Sequence, residues 1–355
     1  MVTETGSITI HNVAKMAGVS ISTVSRVVNG LGRVAPETRR KVETAIRRLD
    51  FHPNSRAQAL SRKRTDTIGL IVPDFEGQYF SMLMEGSHEE AQVNGVHIMV
   101  LKAKGSDAQI EAVRRLCSEG RTDGVILMLS ELYDEVLEGV GDINGPLVIL
   151  DRDVNLWRLD NVLLDNRLGA FEATKHFIDV HKITNVFFVG GSKSNLDTTA
   201  RAQGFADALM SIKLNAEGKQ FFGNSYSYDE GYRLAVEKIY PLIESQEHYG
   251  VVAANDDIAC GIIDALMDKG IRVPEQVGVT GFDDSDIAMH RRPKITTMHI
   301  PTKEIGRLAV RMILNRLADR VSEPAKVILK ARLIVRESCG CGKHNNRISG
   351  DKSVQ

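Results

Sequence analysis

Residues 9 to 29, Thr-Ile-His-Asn-Val-Ala-Lys-Met-Ala-Gly-Val-Ser-Ile-Ser-Thr-Val-Ser-Arg-Val-Val-Asn, constrain this chain more tightly than any other stretch. Ile10, Val13, Ala14 and Ala17 recur at helical spacing, and Gly18 breaks that helix. Ser20 is placed to cap a second helix, to which Val24, Val27 and Val28 give an apolar stripe of its own. Two short helices joined by a tight glycine-containing turn describe a helix-turn-helix. On that reading Ile21, Ser22, Thr23, Ser25, Arg26 and Asn29 lie opposite the stripe, available to DNA. A helical hairpin that only packs against another element fits the same pattern.

Charge separates the two readings. Residues 1 to 64 hold twelve Lys and Arg against four Asp and Glu, and the remainder holds thirty-three against forty-two, so a net charge of -1 conceals a basic front and an acidic body. A basic module releases counterions from a polyanion, and an acidic body limits nonspecific adhesion. No apolar run approaches a membrane span, and the first thirty residues lack a signal-peptide block, so a cytoplasmic location is expected. Cys117, Cys260, Cys339 and Cys341 are few and scattered, as reduced thiols are. Cys339 and Cys341 stand one residue apart, but without His or Cys partners at ligand spacing, so no metal site and no cofactor are predicted.

At 355 residues the chain predicts two or three domains. Pro36 opens a third helix whose buried stripe is Val42, Ala45, Ile46 and Leu49. Pro53 stops its continuation, and Asn54 can cap a further helix ending near Leu60, followed by Arg62-Lys63-Arg64. Under two turns long, such a helix needs support from a partner chain or from DNA. From Thr67 the grammar changes to nearly continuous apolar strands alternating with helices, the mark of parallel sheets covered on both faces. The alternation restarts after Asp165, which predicts two doubly wound α/β lobes whose strand ends face a shared cleft. Residues 303–317 read as an amphipathic helix and 326–335 as a final strand pair.

The predicted organisation is an all-α headpiece (1–52), a hinge helix and linker (53–65), a two-lobed core (66–341) and a disordered tail (342–355). The first lobe is expected to comprise about 66–165 and 297–324, and the second about 166–293 and 326–341.

In this order and spacing the motifs resemble the lactose-repressor/galactose-repressor family. The resemblance rests on Val13-Ala14, Gly18-Val19-Ser20, Thr23 to Asn29, Val34, Thr38-Arg39, Val42, Pro53-Asn54, Ala57 and Leu60. It continues in Asp165-Asn166, Arg201 to Phe205, Ala254-Asn255-Asp256, Val273-Pro274, Gly281 to Asp284, Thr296-Thr297 and Gly306. It implies a periplasmic-binding-protein-like core and a homodimer reading the half-sites of a near-palindromic double-stranded operator.

By position in that family, Ile21, Ser22 and Arg26 reach base edges. Arginine can address guanine, serine donates or accepts, and isoleucine can meet a thymine methyl. Thr9, Thr23, Ser25, Asn29, Arg33 and Thr38 match backbone-contact positions, which fix register. Asn54, Ala57 and Leu60 match the hinge, whose leucine wedges into the minor groove. The residues matching effector positions are Asp74, Phe75, Tyr79, Asp151, Asp197, Arg201, Tyr226, Asn255 and Asp283. Carboxylates, amides and a guanidinium suit the hydroxyls of a sugar, the expected effector class, and an aromatic face suits the apolar side of its ring. A regulator of the catabolite-control type, switched by a phosphorylated protein, is the alternative within the family. A sugar-metabolising enzyme is the remote one, since Asp256-Asp257 and Asp283-Asp284 come with neither a nucleophile-base pattern nor metal-ligand spacing.

Overall fold

The computed structural model describes residues 8–30, 32–52, 64–117, 119–129, 139, 145–154, 159–318 and 323–341. The predicted hinge residues Asn54, Ala57 and Leu60 and the predicted tail lie outside them.

Three helices build the headpiece: α1 (Ile10–Ala17), α2 (Ile21–Asn29) and α3 (Pro36–Leu49). Gly18 closes α1 in the left-handed region at φ 66°, a conformation that costs glycine little. Ser20 Oγ then accepts from the Thr23 amide at 3.2 Å and starts α2. Val13, Ala14, Val24, Val27, Val42, Ala45 and Phe51 form a small closed core. The apolar stripes read from the sequence supply six of these seven, and Phe51 is the addition.

The first lobe contains β1 (Thr67–Val72), α4 (Gln78–Val93), β2 (His97–Lys102), α5 (Ser106–Cys117), β3 (Gly124–Met128), β4 (Leu147–Leu150) and β5 (Leu159–Leu164). The second contains α6 (Asn166–Asp179), β6 (Val186–Gly190), α7 (Leu196–Met210), β7 (Gln220–Phe222), α8 (Tyr228–Leu234), β8 (Tyr249–Ala253), α9 (Asp256–Asp268), β9 (Val277–Asp283), α10 (Asp286–His290) and β10 (Thr296–His299). The chain then returns to the first lobe as α11 (Thr302–Ala318) and β11 (Lys326–Leu329), and ends in the second as β12 (Arg332–Ile334).

The sheets run β11-β5-β4-β3-β1-β2 and β12-β10-β9-β8-β6-β7. Every pairing is parallel except β10 with β12. The strands of the sheet centres, β3, β4, β6 and β8, are buried along their whole length, as sheets covered on both faces require.

Two boundaries differ from expectation. Thr297, assigned by sequence to the first lobe, lies in β10 against β9, so the second lobe extends to residue 299. The segment 326–335 is not one strand pair: β11 adds to β5 in the first lobe, and β12 to β10 in the second. Alternation over a few residues identifies an edge strand but not which of two edges receives it, since backbone pairing is the same at either. Three strands of chain therefore cross between the lobes, after β5, β10 and β11.

Helix α11 packs on α4 closely enough that a Cβ on Gly306 would strike the Leu83 carbonyl, and one on Gly86 the Lys303 carbonyl. Arg316 clamps Asp160 of β5 with two bonds of 2.8 Å, anchoring the far end of α11 to the sheet.

Candidate functional site

On the headpiece, α2 presents Ile21, Ser22 and Arg26 to solvent; Ile21 is 41% exposed. An isoleucine on the outer face of a short polar helix contributes nothing to the headpiece core, which suits contact with another molecule. The neighbouring hydroxyls are ordered locally. Ser20 Oγ lies 2.8 Å from Ser22 Oγ and 2.8 Å from Thr23 Oγ1, and Asn29 Nδ2 donates to Ser25 Oγ at 3.2 Å. Thr9 binds Asn12 through both its amide, at 2.9 Å, and its hydroxyl, at 2.7 Å. Arg33 is exposed and Thr38 half-buried. Arg40, Lys41, Arg47 and Arg48 lie exposed on α3, continuing the basic face.

In the core, two of the expected cleft residues leave the carboxyl ends of strands, where ligands of open α/β sheets are bound. Asp151 follows β4, and Asp283 ends β9. Both hold positive φ, 63° for Asp151 and 105° for Asp283, and Asp284 follows at 59°. Strain of this kind, about 1–3 kcal/mol per residue, persists where the surroundings over-determine it and clusters at functional sites.

Arg201, from α7, is the hub. It is 4% exposed, its Nε donates to Asn166 Oδ1 at 2.8 Å, and an Nη donates to the Ala254 carbonyl. That Nη also lies 3.8 Å from Asp283 Oδ1, and the guanidinium stacks 3.9 Å above the Phe282 ring. Asn166 Nδ2 donates to Asp197 Oδ1 at 2.9 Å, so one amide relays order from Arg201 to Asp197. From the first lobe, the Tyr79 hydroxyl reaches Asp151 Oδ1 at 3.5 Å. The lobes meet where the Asp286 amide donates to Gln78 Oε1 at 2.6 Å.

Three carboxyls thus surround one guanidinium. Burial raises the pKa of Asp151 and of Asp283 well above the usual carboxylate range and raises that of Asp197, while Arg201 opposes all three rises. Tyr79 is raised by burial and then by Asp151, Asp197 and Asp283. Asp151 Oδ2 is buried with no hydrogen-bond partner among the described residues.

The other expected cleft residues divide. The Tyr226 hydroxyl is held by Thr198 Oγ1 at 2.7 Å and Asn195 Oδ1 at 2.9 Å. Asn255 is occupied at both ends of its amide: Oδ1 caps α9 through the Ile258 amide, at 2.9 Å, and Nδ2 donates to the Tyr226 carbonyl at 3.0 Å. Its contacts position Tyr226. Asp74 is turned to Lys102 Nζ, 2.6 Å away, and Phe75 is exposed, so neither joins the interior network. Asn166, Asn195 and Thr198 were not singled out as site residues from sequence. Asn166 carries the one visible signal, a polar amide at the first position of a helix that follows a strand.

Asp256 and Asp284, two of the four acids considered for catalysis, are held in structural contacts. Asp256 accepts from Thr297 Oγ1 at 2.6 Å and from the amide and hydroxyl of Ser285 at 2.7 and 2.9 Å. Asp284 takes Arg336, and His299 Nδ1 at 2.9 Å. Together they pin the corner that displays Asp283.

Comparison with known proteins agrees with this division into headpiece and core. Residues 9–54 match the model of bacterial regulatory proteins, lacI family, and residues 174–339 that of a periplasmic binding protein-like domain. The HTH-type transcriptional regulator RegA of Clostridium saccharobutylicum is 33% identical over 333 residues, covering 93% of this chain and 98% of that protein. The chain belongs to the LacI family. Like RegA it is a transcriptional regulator with a helix-turn-helix, and its relatives bear the names of regulators rather than of enzymes. Catabolite control protein A of Priestia megaterium is 30% identical over 94% of this chain and 99% of its own length. Among solved structures, a CelR-cellobiose complex matches 93% of this chain and 99% of its own with a TM-score of 0.69 at 28% identity. A Lac repressor dimer bound to operator and an anti-inducer shares the fold with a TM-score of 0.85 at 23% identity, over 94% and 99% of the two chains. Among the described residues, no helix is long and apolar enough to cross a membrane.

Proposed function

We propose that this LacI-family regulator is a repressor that binds a near-palindromic operator as a homodimer, and that a sugar or sugar derivative in the inter-lobe cleft switches its DNA affinity. The observation that carries the reading is the interior of the cleft: three half-buried carboxyls around the buried Arg201, with the Asp151 Oδ2 atom buried and lacking a partner among the described residues. A ligand rich in hydroxyls satisfies such groups in either protonation state, because each hydroxyl both donates and accepts. Solved relatives hold cellobiose and ribose, which supports the ligand class.

In the headpiece Ile21, Ser22 and Arg26 read bases, while Thr9, Thr23, Ser25, Asn29, Arg33 and Thr38 set register on phosphates. Residues 53–65 serve as the hinge, with Leu60 as the minor-groove wedge and Asn54 and Ala57 as further minor-groove contacts. Ligand in the cleft changes the relative setting of the lobes, and with it the fraction of dimers whose hinges fit the operator.

Titration of DNA from upstream of its own gene, with and without candidate sugars, tests the proposal. Specific binding at moderate salt that one sugar strengthens or weakens is expected. Absence of specific binding under every condition overturns it. The 30% identity to catabolite control protein A favours a second reading, in which a phosphorylated protein is the switch. DNA affinity that answers to such a partner and to no small molecule would establish that reading instead.

A further inference from the structure

We infer that His176, His181, Cys339 and Cys341 form a structural zinc site in the second lobe. From sequence the two cysteines had no ligand partners, and folding supplies them. His176 lies in the last turn of α6, and His181 follows that helix. Cys339 and Cys341 follow β12, about 160 residues later in the chain.

The four ligand atoms lie within 4.8 Å of one another. His176 Nε2 is 3.3 Å from His181 Nε2, 3.4 Å from Cys339 Sγ and 3.6 Å from Cys341 Sγ, and His181 Nε2 is 3.3 Å from Cys341 Sγ. Tetrahedral zinc with ordinary bond lengths separates two nitrogens by about 3.3 Å and a nitrogen from a sulfur by about 3.6 Å. The observed N···N separation equals that figure, and the three N···S separations, 3.3 to 3.6 Å, lie at or just under it.

Hydrogen bonding alone explains the cluster poorly. Two imidazole nitrogens facing each other need one proton between them, and a thiol is a weak donor and a weak acceptor. All four groups instead bring a ligand atom into one cluster, within 4.8 Å of each of the others, as binding a shared cation requires. Thr296 Oγ1 donates to Cys339 Sγ at 3.0 Å, the outer support that a thiolate ligand takes. Two thiolates cancel the charge of a divalent ion, so the loaded site is neutral where His176 and Cys339 are buried. Thiolate and imidazole in equal number, closed on four sides, suit zinc over magnesium or calcium, and leave no open position for catalysis.

The ion would tie the end of the core to α6. Arg336, three residues before Cys339, binds Asp284, whose neighbour Asp283 faces Arg201. The staple therefore stands behind the corner that displays a cleft carboxylate.

The test uses the full chain, purified with a non-thiol reductant. Elemental analysis is expected to find about one zinc per chain, and replacement by cobalt to give the intense visible absorption of a tetrahedral site with thiolate-to-cobalt charge transfer. Cys341→Ser and His181→Ala are each expected to lower retained zinc about tenfold or more, with circular dichroism reporting that the chain is folded. The cobalt spectrum of the unmutated chain makes the result independent of how well the variants fold. An octahedral cobalt spectrum overturns the inference. So does zinc content no higher than that of the Cys339→Ser/Cys341→Ser variant, or a Cys339–Cys341 disulfide that re-forms in reduced, zinc-supplemented protein.

Discussion

Replacing Arg201 by methionine separates ligand recognition from DNA binding. Methionine keeps an apolar stem over the Phe282 ring, now 3.9 Å beneath the guanidinium, while removing the charge and every donor. The losses are the bond to Asn166 Oδ1 at 2.8 Å, the bond to the Ala254 carbonyl and the ion pair to Asp283 at 3.8 Å. Breaking a buried pair costs about 3–5 kcal/mol when the remaining charge has no escape. Here burial already raises Asp197 and lifts Asp283 well above the usual carboxylate range, so Asp283 can take up a proton and a stability loss of about 2–3 kcal/mol is expected. Two charge-assisted bonds to ligand, about 1.5–2 kcal/mol each, correspond to a loss of about a hundred- to a thousandfold in affinity. Calorimetric titration of a sugar that binds the unmutated chain measures this directly. DNA affinity without ligand should stay within about twofold, because α1 to α3 enclose their own core. Unchanged sugar affinity would refute the role of Arg201. Loss of DNA binding in a folded variant would refute the division of labour.

Further outcomes follow from the same contacts. Arg26→Ala should cost about 1–3 kcal/mol on the operator and relax specificity at one base pair, whereas Arg33→Ala should weaken all sequences alike and lower the salt slope by about one, both read by fluorescence anisotropy. Burial raises Asp256 to about 6, so between pH 4 and 6 the folded chain keeps a proton that the unfolded chain releases. This carboxyl therefore weakens stability as pH rises through that window, by up to about 3 kcal/mol. Urea unfolding of Asp256→Asn against the unmutated chain should show the difference moving in favour of asparagine as pH rises, and a flat difference would count against it. Gly306→Val drives side-chain atoms into the Leu83 carbonyl and should cost about 3 kcal/mol in thermal or urea unfolding, as overpacking does.

The headpiece was nearly complete in the sequence, because its determinants are local. The spacing of Val13, Val24, Val27 and Val42, the left-handed Gly18 and the capping Ser20 act within a few residues of chain. The alternation of buried strands with helices likewise announced two α/β lobes, since burial on both faces shows in each strand alone. Arg201 and its companions were legible through family motifs, yet their individual tasks were not. Asn255 holds Tyr226, Asp74 faces Lys102, and Asn166 does the relaying, all through partners about thirty residues away.

Only tertiary structure decided which sheet received β11 and which β12, because two equivalent edges compete for strands of similar pattern. Only it brought His176 and His181 to Cys339 and Cys341. The opening helix-turn-helix is written in nearest-neighbour spacings, whereas the cleft and the metal cluster depend on where long loops close, and spacing along the chain carries no record of that.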